Sequence, residues 1–439
     1  MPGSLSPPIA RLVTIGCRLN QLETEGMARK YADAGFQICM EGGPGDAAHT
    51  SVCVVNTCTV TSKAEQKTRR IIRALLREYP HAEVLVTGCY AVLDSDALCA
   101  MDPRIRIVPK AALTPAAPPT SFFAHSRPSV KIQDGCDMHC TYCRIRLARG
   151  AALSLGAEAV VEQVRRLEDA GHREVTLTGV NLGGYRGDLA GRAVGLTELL
   201  ALILLRTEHI AVRLSSLHPT VIDGDFCAVV SHPRVRPHFH LSVQSGSDPI
   251  LRAMGRPYDA TRAKDAVDLL RAAKPAPFIA CDMITGFPGE TEADFENTLA
   301  LCRACAFAWI HGFPFSPRPG TAAAAMKPAI PQSIAGRRVR SLTELAVTGK
   351  IAYIESFAGK ELSAVIERGT SAERVRGVTA NFIHLELPAA EIPVELRFGA
   401  ADRPAPEIPV RIIAPLEKNI RGGDEVEAMA KSIFSRKAT

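Results

Sequence analysis

Between residues 130 and 313 the chain returns six times to a short β-branched or aromatic run, each separated from the next by a span of helical character. The runs are Val130–Gln133, Glu174–Leu177, Val212–Ser215, His238–Val243, Phe278–Met283 and Trp309–Phe313. Strands that alternate with helices must lie parallel, because a parallel pair needs a crossover long enough to hold a helix. Ala157–Ala170 shows such a helix, with Val160, Val164 and Leu167 on one face and Gly171 to end it. Six βα units fall short of the eight that close a barrel, so a partial (βα)6 barrel is the expected centre of the fold.

The segments on either side have different textures. Strands are expected at Leu12–Ile15, Val52–Val55 and Glu83–Val86. One helix is expected from an Asn20/Glu23 start signal to Gly35, and another from a Ser62/Glu65 capping box to about Tyr79. That order predicts an N-terminal doubly wound parallel sheet, and with the barrel an α/β chain. Pro109–Thr120, rich in Pro and Ala, reads as a linker. Beyond Ala352 only short strands follow: Glu361–Glu367, Arg374–Val378, Phe382–Leu387, Glu391–Leu396 and Ile408–Ile413. They predict a small C-terminal antiparallel β-barrel of the OB type.

With 439 residues, the chain suits two or three domains. No apolar run approaches the roughly 18 residues that span a bilayer, and the opening MPGSLSPPIARLV lacks a secretory core, so a cytoplasmic location is expected. The net charge of +6 fits a nucleic-acid partner without requiring one. Thirteen cysteines, an odd number, direct attention to metal or redox chemistry rather than a disulfide framework.

The most specific cysteine pattern is Cys136-Asp-Met-His-Cys140-Thr-Tyr-Cys143, just past the first barrel strand. A closed zinc site would need a distant fourth ligand. Three thiolates suffice to hold three irons of a four-iron cluster and leave the fourth open. An open iron can bind the amino and carboxylate groups of S-adenosylmethionine (SAM), and the cluster's electron then cleaves the sulfonium to a 5′-deoxyadenosyl radical, which needs a sheltered cavity. The C-x3-C-x2-C spacing, with an aromatic before the last Cys, resembles the radical SAM superfamily.

A second trio is dispersed. Cys17, Cys58 and Cys89 each lie just past the carboxyl end of a predicted N-terminal strand. In an open α/β sheet those ends share the ligand-binding edge, so the three converge and suit a second cluster. Position alone leaves open that they are scattered small core residues.

Their local contexts are Thr14-Ile-Gly-Cys17-Arg-Leu-Asn20-Gln21, Asn56-Thr-Cys58-Thr-Val-Thr61 and Thr87-Gly-Cys89-Tyr-Ala91. Placed ahead of the triplet and of a C-terminal β-barrel, they resemble the methylthiotransferase family over roughly Arg11 to Ile413. The runs Gly16–Glu25 and Val55–Thr61 are similar to the branch acting on N6-threonylcarbamoyladenosine at tRNA position 37. Further matches are Leu177–Asn181, Leu214–Ser216, Gln244–Ser247, Gly286–Thr291 and Phe315–Thr321. The resemblance implies three domains: methylthiotransferase (9–120), radical SAM (121–350) and TRAM (354–425). It also implies two [4Fe-4S] clusters, on Cys17/Cys58/Cys89 and on Cys136/Cys140/Cys143, with SAM contacts at Gly179, Asn181, Ser215 and Gln244 and with Tyr142 near the adenine. The implied reaction takes hydrogen from C2 of the adenine and installs a methylthio group, using two SAM, a sulfur source and a reductant such as flavodoxin or ferredoxin. The partner would be the anticodon loop of tRNA. An aspartate of ribosomal protein S12 is the alternative substrate, and a non-catalytic iron–sulfur RNA sensor the alternative class. The chain departs from the family in having Arg146 where Pro is usual, and Ala151–Leu155 without the usual arginines.

For RNA contact, Lys63, Lys67, Arg70, Arg73 and Arg77 are expected to face away from Ile71, Leu75 and Tyr79 on one helix. A second local patch is expected at Arg374, Arg376, Asn381 and Phe382, with Phe382 offered for stacking. Cys302 and Cys305 read as buried helix residues, and Thr291/Asp294 as a helix cap.

Overall fold

The computed structural model describes residues 7–40, 48–109, 127–367, 373–393, 396 and 405–433. Most of the expected linker, 110–120, lies outside them. The chain forms two compact units that interleave in sequence. One takes the described residues of Met1–Phe123 with Asp134–Leu153 and Ser316–Ala324; the other takes those of Ala124–Gln133, Ser154–Phe315 and Ala325–Thr439.

The first unit is built on a five-stranded parallel sheet: β1 (Ile9–Thr14), β2 (Gln37–Met40), β3 (Thr50–Thr57), β4 (Glu83–Gly88) and β5 (Ile105–Ile107), in the order β2-β1-β3-β4-β5. Helix α1 (Arg18–Asp33) covers one face, setting Met27 and Ala28 against Leu12, Val52 and Val54. Helix α2 (Ser62–Glu78) covers the other, setting Ile72, Leu75 and Leu76 against Val13, Val55 and Val84. Short helices α3 (Cys89–Leu93), α4 (Ser95–Cys99) and α5 (Ile145–Arg149) complete the unit, and α5 packs on α3. In this strand order the winding reverses between β1 and β3, and a crevice opens at their carboxyl ends.

Two of the expected helix starts are displaced. Helix α1 begins at Arg18 with Cys17 as N-cap, so Asn20 and Glu23 lie inside it, both buried. Helix α2 is capped by Thr61, whose hydroxyl accepts from the Ala64 N–H at 3.2 Å. The side chains read as starting signals are engaged in the site described below.

The second unit holds the partial barrel. Strands Ser129–Lys131, Glu174–Thr178 and Ala211–Leu214 form one parallel sheet, and His238–Gln244, Phe278–Thr285 and Trp309–Pro314 another. An isolated parallel bridge, Leu217–Leu241, joins them. Helix Leu196–Arg206 buries Leu199, Leu200 and Ile203 beneath this wall. Helix Glu292–Cys305 opens on a Thr291/Asp294 capping box and buries Cys302 and Cys305, as expected.

The same unit carries the closed five-stranded barrel Glu361–Ile366, Arg374–Thr379, His384–Pro388, Ala428–Ser432 and Glu407–Pro415. Its pairings are antiparallel except the closing one, Leu385–Ala428. The fourth strand differs from expectation. Glu391 ends a 3-10 turn from Ala389, residues 394–395 lie outside the described set, and the strand is Ala428–Ser432.

The stacking patch also needs correction. The Phe382 ring lies 4.1 Å from His238 and 5.1 Å from the Arg213 guanidinium, and Asn381 is buried with its amide on the Tyr353 hydroxyl at 2.9 Å. These side chains fasten the small barrel to the strands. Arg374 and Arg376 are ion-paired at the surface with Glu386 and Glu425.

Candidate cluster site

All six cysteines singled out from the sequence lie in the first unit. Cys17 follows β1, Cys58 follows β3 and Cys89 opens α3 directly after β4, so the sheet delivers them to one edge. Cys17 is exposed, Cys58 and Cys89 are buried, and Cys136, Cys140 and Cys143 are half-buried. The loop before Cys17 approaches Cys58 so closely that a Cβ on Gly16, at φ +112°, would stand 2.6 Å from the Cys58 Cβ and 2.9 Å from its sulfur. Only glycine fits there.

The three loops are tied by amide and hydroxyl groups. Asn20 donates to the carbonyls of Ile15 at 2.8 Å and Thr57 at 2.9 Å, joining the Cys17 loop to the Cys58 loop. The Thr57 hydroxyl donates to Thr87 O at 2.6 Å and accepts from the Ala91 N–H at 3.1 Å, joining the Cys58 loop to the Cys89 turn.

The Cys136–Cys143 segment turns on Gly135, where a Cβ would stand 1.9 Å from Ala151 O. The Cys136 N–H donates to Gly150 O and the Cys143 N–H to Cys140 O, both at 3.1 Å. The Ile145 N–H points at the Cys143 sulfur from 3.4 Å.

Arg149, at the end of α5, links this segment to the dispersed trio. Its side chain is 1% exposed and donates to the Cys89 sulfur at 3.2 Å, Glu23 at 3.0 Å, Asp134 at 2.8 Å and Asn20 at 2.6 Å. Burial disfavours its charge, but Cys89, Glu23 and Asp134 outweigh that and keep it protonated. One guanidinium thus ties the helix that follows the triplet to Cys89, Asn20 and Glu23 around the dispersed trio. Burial pushes the Cys58 thiol up to about 11; the Val60 N–H and Arg149 oppose the rise, and the Cys17 and Cys89 sulfurs add to it.

A second polar group flanks Cys58. Glu65 accepts from Thr59 at 2.6 Å, from Arg144 at 3.3 Å and from Arg318, which also donates to Ser62 at 2.8 Å. This is why Glu65 does not cap its helix. Sequence reasoning assigned no role to Arg144 or Arg318. The sequence likewise gives Arg149 no role of its own.

The residues fit iron–sulfur clusters by their chemistry: two sets of three thiols, each with an N–H donor aimed at one of its sulfurs, and the dispersed set at the sheet's ligand-binding edge. Among the described residues no three Cys, His, Asp or Glu side chains crowd to the reach of a single ion; a four-iron cube holds its thiolates farther apart than one ion does.

The other sequence-derived candidates stand at barrel strand ends in the second unit. A Cβ on Gly179 would meet the Gln133 side chain at 3.0 Å, and the Asn181 N–H donates to Gln133 Oε1 at 2.9 Å. The Ser215 hydroxyl is buried with no hydrogen-bond partner among the described residues. Gln244 is held at φ +74° beside a register shift, a strained backbone of the kind found at binding sites. Tyr142, in the first unit, is half-buried beside Cys143.

Comparison with known proteins agrees with this geometry. Residues 130–302 match the radical SAM superfamily and residues 10–109 match uncharacterized protein family UPF0004. The chain is 39% identical to threonylcarbamoyladenosine tRNA methylthiotransferase MtaB of Treponema pallidum, over 92% of this chain and 98% of that one. It is 36% identical to the protein of the same name from Thermotoga maritima, over 81% and 86%. It is 32% identical to tRNA-2-methylthio-N(6)-dimethylallyladenosine synthase of Novosphingobium aromaticivorans, over 84% and 88%. Among solved structures, the radical SAM methyltransferase TsrM from Kitasatospora setae shares the fold, with a TM-score of 0.50 and 14% identity over 83% of this chain and 79% of that one.

Proposed function

The chain belongs to the MtaB-type methylthiotransferases, and we infer from that membership and from its paired thiolate sets that it converts N6-threonylcarbamoyladenosine in tRNA to the 2-methylthio derivative. It is a radical SAM enzyme that uses two [4Fe-4S] clusters and SAM. The observation that carries the reading is Arg149, which stands on the helix after the Cys136–Cys143 triplet and donates to Cys89 of the dispersed trio.

We assign one cluster to Cys136, Cys140 and Cys143 and the other to Cys17, Cys58 and Cys89. Gly179, Asn181, Ser215 and Gln244 are the proposed SAM contacts of the second unit, and Tyr142 one of the first. When bound, the clusters and SAM supply the radical and the sulfur transfer. The chain's own part is to fix the thiolates. Asn20 and Thr57 hold the three loops at one spacing, and Arg149 balances the sulfur charge with a buried cation. Adenine C2 is reachable only if the base leaves its stack, which an anticodon loop allows at lower cost than a duplex.

The proposed functional segments are 9–120, 121–350 and 354–425. Flavodoxin or ferredoxin is the proposed electron donor, because one low-potential electron must be delivered per SAM cleaved. No helix among the described residues is long and apolar enough to cross a membrane; a cytoplasmic location is proposed from the tRNA substrate. The test is mass spectrometry of tRNA nucleosides with and without the gene. Methylthiolated threonylcarbamoyladenosine should disappear. Unchanged levels, with loss of a methylthiolated aspartate in ribosomal protein S12, would transfer the function to that protein.

A further inference from the structure

The outer face of α2 carries a single unbroken ridge of like charge. Lys63, Lys67, Arg70, Arg73 and Arg77 follow one another at spacings of four, three, three and four residues, and all five are exposed. At about 100° per residue they occupy an arc of roughly 120° over about 21 Å of helix. The opposite face, with Ile72, Leu75 and Leu76, is buried on the sheet, and Thr61 caps the first turn, so the ridge is held on a fixed element. Among the described residues no acid is ion-paired with it. Glu65 is turned to Arg144 and Arg318, Glu78 takes the Tyr79 hydroxyl at 2.8 Å, and none of the five cations has an ion-pair partner among the described residues.

Like charges one helical turn apart destabilise a helix. A run of them with no counter-charge is relieved by a polyanion laid along it. The helix starts four residues beyond Cys58, within the unit that holds both cysteine sets. We propose that this face of α2 carries the phosphate backbone of the RNA whose base is modified at the neighbouring site. The proposal rests on the tRNA reading above and adds where the strand is held. The recognition is of phosphate charge, not sequence. Lys63, nearest the cysteines, meets the phosphates closest to the target nucleotide, and Arg77 those farthest along the strand.

The test uses the reconstituted holoenzyme and a labelled anticodon stem-loop, with affinity measured across a potassium chloride series. Lys67→Glu, Arg70→Glu and Arg73→Glu are combined in one variant. Arg165→Glu, Arg173→Glu and Arg206→Glu, also exposed, make a control with the same change in net charge. Each phosphate contact contributes about 0.7–0.9 to the slope of log affinity against log salt. The ridge variant should lose at least tenfold in affinity at low salt and about two units of slope, while the control stays within threefold of wild type. SAM cleavage to 5′-deoxyadenosine without RNA, unchanged in both, shows that each is folded and loaded.

Wild-type affinity and slope in the ridge variant overturn the proposal, as does an equal loss in the control. Competition by polyglutamate as effective as that of RNA of equal charge also overturns it, in favour of an acidic protein. A wild-type enzyme that methylthiolates tRNA while the ridge variant binds normally removes only the ridge; a wild-type enzyme inert towards tRNA removes the functional reading itself.

Discussion

Replacing Arg149 with methionine removes the guanidinium and keeps most of the side-chain volume. The carboxylate it leaves behind at Glu23 is 3% exposed, so water cannot take the guanidinium's place, whereas Asp134, at 22%, can be partly rehydrated. Breaking one partner out of a buried pair costs about 3–5 kcal/mol, chiefly through the stranded charge. Discounting the Asp134 end gives about 3 kcal/mol for the loop assembly around Asn20 and Glu23. Amide hydrogen exchange followed by mass spectrometry reads this locally. At about 1.4 kcal/mol per tenfold, peptides covering the first turns of α1 and the end of β3 should exchange roughly a hundredfold faster. Adding Glu23→Gln removes the stranded charge, so the double variant should be more protected than Arg149→Met alone, with a coupling of at least about 1 kcal/mol. Exchange within threefold of wild type in Arg149→Met would refute the argument. So would a double variant less protected than the single one.

Gly16→Ala forces a Cβ to within 2.6 Å of Cys58 at φ +112° and should displace that ligand. Anaerobically reconstituted protein should fall from about eight irons to about four and still cleave SAM; full iron content counts against the assignment. Cys140→Ala should abolish 5′-deoxyadenosine, while Cys58→Ala should keep some of it and transfer no sulfur, as measured by chromatography of both products. Acid should weaken the second unit. Burial alone would raise Glu174, but Arg213 at 2.6 Å and Arg236 at 2.7 Å hold it at about 2, against 4.5 when unfolded. A carboxylate depressed on folding stabilises above its unfolded value, and that stabilisation, about 3 kcal/mol, is lost as pH falls from about 4.5 to about 2. Burial likewise holds His384 at about 3, below 6.5, which works in the same direction. Denaturation midpoints taken from pH 6 down to 3 should drop more steeply in wild type than in Glu174→Gln.

The parallel strands and the placing of Cys17, Cys58 and Cys89 at one sheet edge were legible because each rests on a local rule: β-branched runs separated by helices, and strand ends that share an edge. The failures are places where distant contacts decide. Glu391–Leu396 alternates in a strand-like way, yet the small barrel is closed by Ala428–Ser432, which holds one only by pairing with Glu407–Pro415 and His384–Pro388. Asn20, Glu23 and Glu65 carry the side chains that cap helices, and nothing local distinguishes a cap from a buried acceptor. Arg149 and Arg318, which settle the matter, lie 126 and 253 residues from their carboxylates. Phe382 reads as an exposed aromatic until His238, Arg213 and Phe278 are seen around it.

The departures from the family pattern after Cys143 can be weighed on the same footing. Arg146 lies in the first turn of α5, where proline is tolerated because the amide has no helical acceptor. An arginine there leaves the helix intact, and its side chain is exposed, beside His139. Arg149, three residues on, is the one that turns inward, so the exchange does not reach the thiolates. In the stretch that lacks arginines, Ala151 serves through its backbone: its carbonyl occupies the space a side chain at position 135 would need. On the proposal above, the positive surface for RNA in this unit is α2, with five exposed cations on one face. A chain that lost basic residues at one edge of its site without such a replacement would pay in salt-sensitive affinity, so restoring arginines at Ala151 and Ala152 should strengthen stem-loop binding by far less than removing Lys67, Arg70 and Arg73 weakens it.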